Sequence, residues 1–126
     1  MKPSVEDRQV ITELLSRYGL LIDQKRVDEW MELFVEEAVI EVPGRPPLRT
    51  GAERRGLAEG APVGLHLAAP PILRAGGSDD VALGEQSFQY QNAVTGKPII
   101  GWYEDELVKQ GQRWYIARRV IQFFRV

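Results

Sequence analysis

The closing stretch of the chain, PIIGWYEDELVKQGQRWYIARRVIQFFRV, limits its folding options more than any other. Two runs rich in β-branched and aromatic residues, 99–108 and 114–124, flank a short polar turn at Gln110-Gly111-Gln112, the pattern of a long antiparallel hairpin. Strict alternation puts Tyr115, Ala117, Arg119, Ile121 and Phe123 on one face of the last strand, and Trp114, Ile116, Arg118, Val120, Gln122 and Phe124 on the other. Both faces are largely apolar, so both are expected to be covered, one by the chain's own helices and the other by a second subunit. Each face also carries an arginine. Whichever of Arg118 and Arg119 points inward must meet a carboxylate, a ligand or water, because an unpaired buried charge is costly.

Upstream, the periodicity changes. Val10, Ile11, Leu14, Leu15, Tyr18, Leu21 and Ile22 recur at helical spacing, which predicts a helix over 4–22 with Ser4 as its N-cap and Glu6 and Asp7 in the first turn. Tyr18 lies within the apolar stripe, where a core tyrosine and a site tyrosine read alike. Asp23 falls off that stripe and at the wrong end of the helix dipole, so it is either solvated or swung inward by the turn at Asp23-Gln24-Lys25. A second helix is expected at 29–34, capped by Asp28, with Trp30, Leu33 and Phe34 as its apolar side. A strand at 38–42 stops at Pro43-Gly44, and the capping-box spacing Thr50-Gly51-Ala52-Glu53 predicts a short helix over 51–59.

The second half reads as strands. Residues 63–74 are apolar and interrupted by Pro70-Pro71, and 81–94 alternate Ala82, Gly84, Gln86, Phe88 and Tyr90 with Leu83, Glu85, Ser87, Gln89 and Gln91. His66 sits among Leu65, Leu67 and Ala68, where a structural role and a catalytic one are both open. Helices first and strands afterwards make an α+β domain: N-terminal helices packed over a cone-shaped, curved antiparallel sheet that encloses a pocket.

The totals narrow the function. Sixteen Lys and Arg against 18 Asp and Glu give a net charge of -2 without a basic block, which argues against nucleic acid or an anionic membrane as partner. No apolar run approaches a membrane span, and the first residues lack the apolar core of a signal peptide. The absence of cysteine rules out thiol chemistry and fits the cytoplasm, and a single histidine argues against a histidine-rich metal site. With no phosphate-cradling glycine loop, neither a metal nor a nucleotide cofactor is expected.

The opening EDRQVITELLSRYGLLIDQKRVDEWMELFVEEAVIEV, the segment from His66 to Gly76, and GWYEDELVKQGQRWYIARR resemble a SnoaL-like domain of the nuclear-transport-factor-2-like (NTF2-like) superfamily, over nearly the whole chain. The resemblance implies one domain, residues 1–126, with a cystatin-like α+β barrel fold. The pattern is similar to that of scytalone dehydratase, bile acid dehydratase and hexachlorocyclohexane dehydrochlorinase, which pair an aspartate at the end of the first helix with a mid-chain histidine as a base dyad. Carried over, the dyad is Asp23 and His66, with Tyr18 and Arg119 completing the catalytic set. Two departures stand out: scytalone-type sites use a second histidine, which is absent, and the strand at 81–94 offers only Glu85 where the bile-acid type places an aspartate. Asp105 is nominally available for the aspartate-arginine-aspartate group of an epoxide hydrolase, but at an unpersuasive spacing.

The expectation is therefore a cofactor-independent lyase acting on a small hydrophobic cyclic substrate, with Trp30, Phe34, Phe88 and Tyr90 as the pocket wall. A polyketide-cyclase or ketosteroid-isomerase-like enzyme, and a noncatalytic ligand-binding or assembly subunit, are the alternatives. A homo-oligomer, trimer or dimer, accompanies each.

Overall fold

The structure, a computed structural model, describes residues 3–125, so the outermost ends of the expected domain lie outside it. The order is helix α1 (Val5–Asp23), helix α2 (Val27–Met31), strand β1 (Phe34–Glu41), helix α3 (Gly51–Gly60), then strands β2 (Gly64–Ala68), β3 (Ile72–Ala75), β4 (Val81–Asn92), β5 (Pro98–Gln110) and β6 (Arg113–Phe123). They form one curled sheet in the order β1-β6-β5-β4-β2, with β3 also pairing β4 and the helices packed over one face. The sheet is antiparallel except at β1, which pairs parallel with β6. No helix among the described residues is long and apolar enough to cross a membrane.

Local chemistry explains the helices. Ser4 caps α1 by accepting the Asp7 N–H at 3.0 Å, and Ile11, Leu14, Leu15, Tyr18, Leu21 and Ile22 are buried. Val10, expected on that stripe, is exposed at its margin. Asp28 does not cap α2. The cap position is Arg26, whose guanidinium binds Glu29, while Asp28 pairs with Arg55 of α3. Phe34 opens β1 instead of closing α2, so this strand starts earlier than its sequence pattern predicts. Thr50 and Glu53 form the expected capping box on α3.

Two irregularities interrupt the regular pairing of the sheet. In β6, Leu107 faces Ile116 but Glu106 faces Arg118, so Ala117 is an extra residue in a β-bulge. The bulge breaks the alternation: Trp114 and Ile116 point inward before it, Arg119 and Ile121 after it. The faces expected for Trp114 and Ile116 are thereby corrected. Arg118 lies outside, paired with Glu41.

The second irregularity is in β1, whose pairing to β6 breaks between Phe34 and Val39. There the buried Arg54 of α3 donates to the carbonyls of Ala38 at 2.6 Å, Glu36 at 2.8 Å and Val35 at 3.3 Å, replacing ladder bonds the bulged strand lacks. Arg54→Met should therefore destabilise the fold by about 3 kcal/mol in chemical denaturation, because buried carbonyls lose charge-assisted donors. Arg54→Lys should recover only part, since an ammonium reaches fewer of these carbonyls.

Candidate active site

The site begins where α1 stops. Lys25 adopts a left-handed conformation (φ 60), the Arg26 N–H returns to the Leu21 carbonyl at 2.9 Å, and the Lys25 N–H to that of Ile22 at 3.1 Å. This is a Schellman ending built without glycine, and it leaves Asp23 as the last helical residue. Side chains four apart share a helix face, so Asp23 stands in line with Gly19, not with Tyr18. Strand β2 lies against that line. A Cβ at Gly19 would sit 2.8 Å from the Cβ of His66, so only glycine lets strand and helix come this close.

Across that gap the Asp23 carboxylate makes two hydrogen bonds to one residue. One oxygen accepts the backbone N–H of His66 at 2.7 Å, and the other lies 2.6 Å from its Nδ1. Both side chains are largely buried. The Tyr90 ring packs 4.7 Å from the imidazole, its hydroxyl donating to the Pro62 carbonyl at 2.7 Å. With Nδ1 committed to Asp23, Nε2 is the nitrogen left for a ligand.

His66 lines a cavity of about 360 Å³ whose walls are mainly apolar, a size suited to a small molecule. Tyr18, Tyr103, Phe88, Tyr90 and Ile121 line it too. Trp30 and Phe34, expected on the wall, do not line it. They lie behind Tyr18 in the core, with ring centroids 5.6 and 6.3 Å from it.

Arg119 is inside, but not at the cavity surface. It is wholly buried and forms a two-pronged ion pair with Asp105, at 2.8 and 2.9 Å, with a third bond to Gln86 at 3.3 Å. Its guanidinium lies over the rings of Tyr103, at 3.7 Å, and Tyr18, at 4.2 Å. Burial opposes its charge, but Asp105 and the two tyrosines outweigh that and hold its pKa above the usual arginine value. Tyr103 and Asp105 were not assigned to the site from sequence. Their signal was present, since Tyr103, Asp105 and Leu107 share the inward face of β5 and a buried arginine demands a carboxylate.

Burial raises the pKa of both Tyr18 and Tyr103, so each stays a neutral hydroxyl even above the ordinary tyrosine value of about 10. Burial raises Tyr90 as well. Among the described residues no cluster of three or more metal-ligating side chains occurs.

Comparison with known proteins agrees with this fold. The family model of the SnoaL-like domain matches residues 3–120. No curated protein matches the sequence. A Mycobacterium tuberculosis protein of unknown function, solved as an aspartate-to-asparagine variant, is 27% identical, with a TM-score of 0.83 over 94% of this chain and 72% of that one. A Novosphingobium aromaticivorans protein provisionally assigned as a scytalone dehydratase is 18% identical, with a TM-score of 0.82 over 93% of this chain and 83% of that one. A hexachlorocyclohexane dehydrochlorinase is 14% identical, with a TM-score of 0.82 over 94% and 86%. The last two likenesses establish the fold alone.

Two measurements check the site. Gly→Ala within a helix ordinarily stabilises by about 1 kcal/mol, but at Gly19 the sign should reverse, to a loss of roughly 1–3 kcal/mol, as the new methyl pushes β2 away. Stability should also fall as pH rises above the ordinary tyrosine value of about 10, because the unfolded chain releases protons that the folded one keeps on Tyr18, Tyr90 and Tyr103. Tyr103→Phe should remove one of those contributions and flatten the decline by about 1.4 kcal/mol per pH unit.

Proposed function

We propose that this chain, which belongs to the SnoaL-like domain family, is a cofactor-independent lyase that removes a proton from a small hydrophobic cyclic substrate through the Asp23–His66 pair. The observation that carries this reading is the double hydrogen bond of one carboxylate to the backbone and ring of the same histidine, at the wall of an apolar cavity. Asp23 accepts the Nδ1 proton and so holds the tautomer in which Nε2 has a free lone pair. Nε2 takes the substrate proton, the electrons of the broken C–H bond form the new double bond, and the group on the neighbouring carbon leaves with its bonding pair. Asp23 stabilises the imidazolium so formed. A departing hydroxide becomes water on receiving that proton or the one on Tyr18, whereas a halide needs none.

Tyr18 suits the donor role because it lines the cavity edge-on to His66, 6.3 Å between ring centroids. Arg119 acts through the tyrosines, not on the substrate: its charge over both rings orients them and strengthens their hydroxyls as donors. This makes Arg119 a positioning residue, and the catalytic set proper Asp23, His66 and Tyr18. Phe88 and Tyr90 form the substrate wall. A homo-oligomer belongs to the same reading, with Ile100, Trp102 and Phe124 as an apolar strip on the outer sheet face.

Two linked experiments test this. By NMR, the wild type should show a downfield, slowly exchanging imidazole N–H proton that Asp23→Asn abolishes. In a screen of cyclic alcohols and halides bearing an acidic C–H, His66→Ala should lower turnover on the order of 10²- to 10⁴-fold while leaving binding largely intact. No turnover with any compound, together with unaltered ligand affinity in His66→Ala, would leave a binding subunit as the function.

A further inference from the structure

Two features of the cavity mouth have no part in the proton transfer. The first is Arg45. Residues 42–45 form a β-turn in which the Arg45 N–H donates to the Val42 carbonyl at 3.2 Å, with Pro43 and a left-handed Gly44 (φ 79) at its centre. Such a type II turn is stiff, because proline presets one central residue and glycine alone fits the other without strain. It holds the Arg45 backbone at the rim, and Arg45 is the one lining residue whose charge is permanent. Among the described residues its guanidinium has no ion-pair partner. A lone permanent cation thus borders a mainly apolar chamber.

The second feature is the bare side of α3. Gly56 and Gly60, four apart and on one helix face, both line the cavity. A Cβ at either would meet nothing within 4 Å, and neither has a positive φ. Glycine is the poorest helix former after proline, yet here neither backbone conformation nor crowding requires it. What the two glycines provide is room beside the cavity.

We propose that the mouth binds a hydrophobic carboxylate: a flat ring body lies along Gly56 and Gly60, its carboxylate pairs with Arg45, and its far end reaches His66. Only the last of these rests on the proton-transfer reading. The guanidinium offers two parallel N–H donors to a carboxylate, and the glycines offer a flat backbone surface to a ring.

Binding of 1-naphthoate and of its uncharged methyl ester, measured by calorimetry, tests the assignment. Wild type should prefer the carboxylate by roughly five- to tenfold, a preference that added salt erodes. Arg45→Gln should abolish that preference and Arg45→Lys should keep part of it. Gly56→Leu should raise the melting temperature by about 3 °C while weakening both ligands about tenfold, so that the lost binding is not misfolding. Equal affinities in the wild type, no binding of either compound, or an unchanged preference in Arg45→Gln would each overturn the carboxylate site. Undiminished binding in Gly56→Leu would overturn the glycine wall. His66→Ala should retain the preference, so a protein that prefers the carboxylate yet turns nothing over refutes the lyase reading and leaves this site standing.

Discussion

One carboxylate joins the two halves of this fold. Asp23 ends the first helix, where the carbonyl dipole disfavours a negative charge by roughly 0.3–1 kcal/mol. Two short hydrogen bonds to His66 offset that cost, one to backbone and one to ring. Because β2 is the edge of the sheet beyond β4, the backbone bond also occupies an outward-facing N–H that would otherwise be open to another chain. The Schellman turn behind it ends the helix immediately after Asp23, and Lys25 accepts a left-handed conformation to make that turn. A hydrogen bond from Lys25 to the Ala61 carbonyl ties the same turn to the residue that follows α3.

The second charged pair works at a different depth. Arg119 and Asp105 are removed from water entirely, and a buried ion pair of this kind is a poor source of stability, since desolvation consumes most of the attraction. Its position shows what it contributes. The guanidinium lies against Tyr18 and Tyr103, two of the three tyrosines that line the cavity, while Asp105 and Gln86 fix its plane. Charge that would be screened at the cavity surface is held behind a layer of aromatic rings, where the low dielectric preserves its field. The cavity is thereby backed by a neutral ion pair whose guanidinium end faces the two rings.

Much of this arrangement was legible in the sequence. Helical periodicity located α1 and its cap, Thr50 and Glu53 located α3, and alternation in β4 correctly separated Ala82, Gly84, Gln86, Phe88 and Tyr90 from their exposed neighbours. What escaped depended on events between elements. The bulge at Ala117 comes from how β6 meets β5, and no residue in 114–124 announces it, so the inward arginine was undecided and Trp114 and Ile116 were placed on the wrong face. Periodicity likewise placed Asp23 off the Tyr18 stripe correctly, but could not reveal that β2 occupies that side. The clue was Gly19, one helical turn earlier, which leaves the space a strand needs. Trp30 and Phe34 are apolar and near Tyr18 as expected, yet a short helix gives no sign of which side of a tyrosine it packs against.

Because Asp23 has a structural duty beside its proposed chemical one, loss of function on removing it does not by itself identify a base dyad. Alanine would open the edge of β2 and free the imidazole at once. Asparagine separates the duties. Its amide oxygen can still accept the His66 backbone N–H, keeping strand and helix together, while its amide nitrogen presents a donor where the carboxylate presented an acceptor. Facing a donor, Nδ1 must serve as the acceptor, and the imidazole proton moves to Nε2. The nitrogen exposed to the cavity then carries a hydrogen and cannot remove one. A folded Asp23→Asn protein that keeps the cavity but lacks proton abstraction therefore isolates the tautomer as the cause, which simple deletion of the carboxylate cannot do.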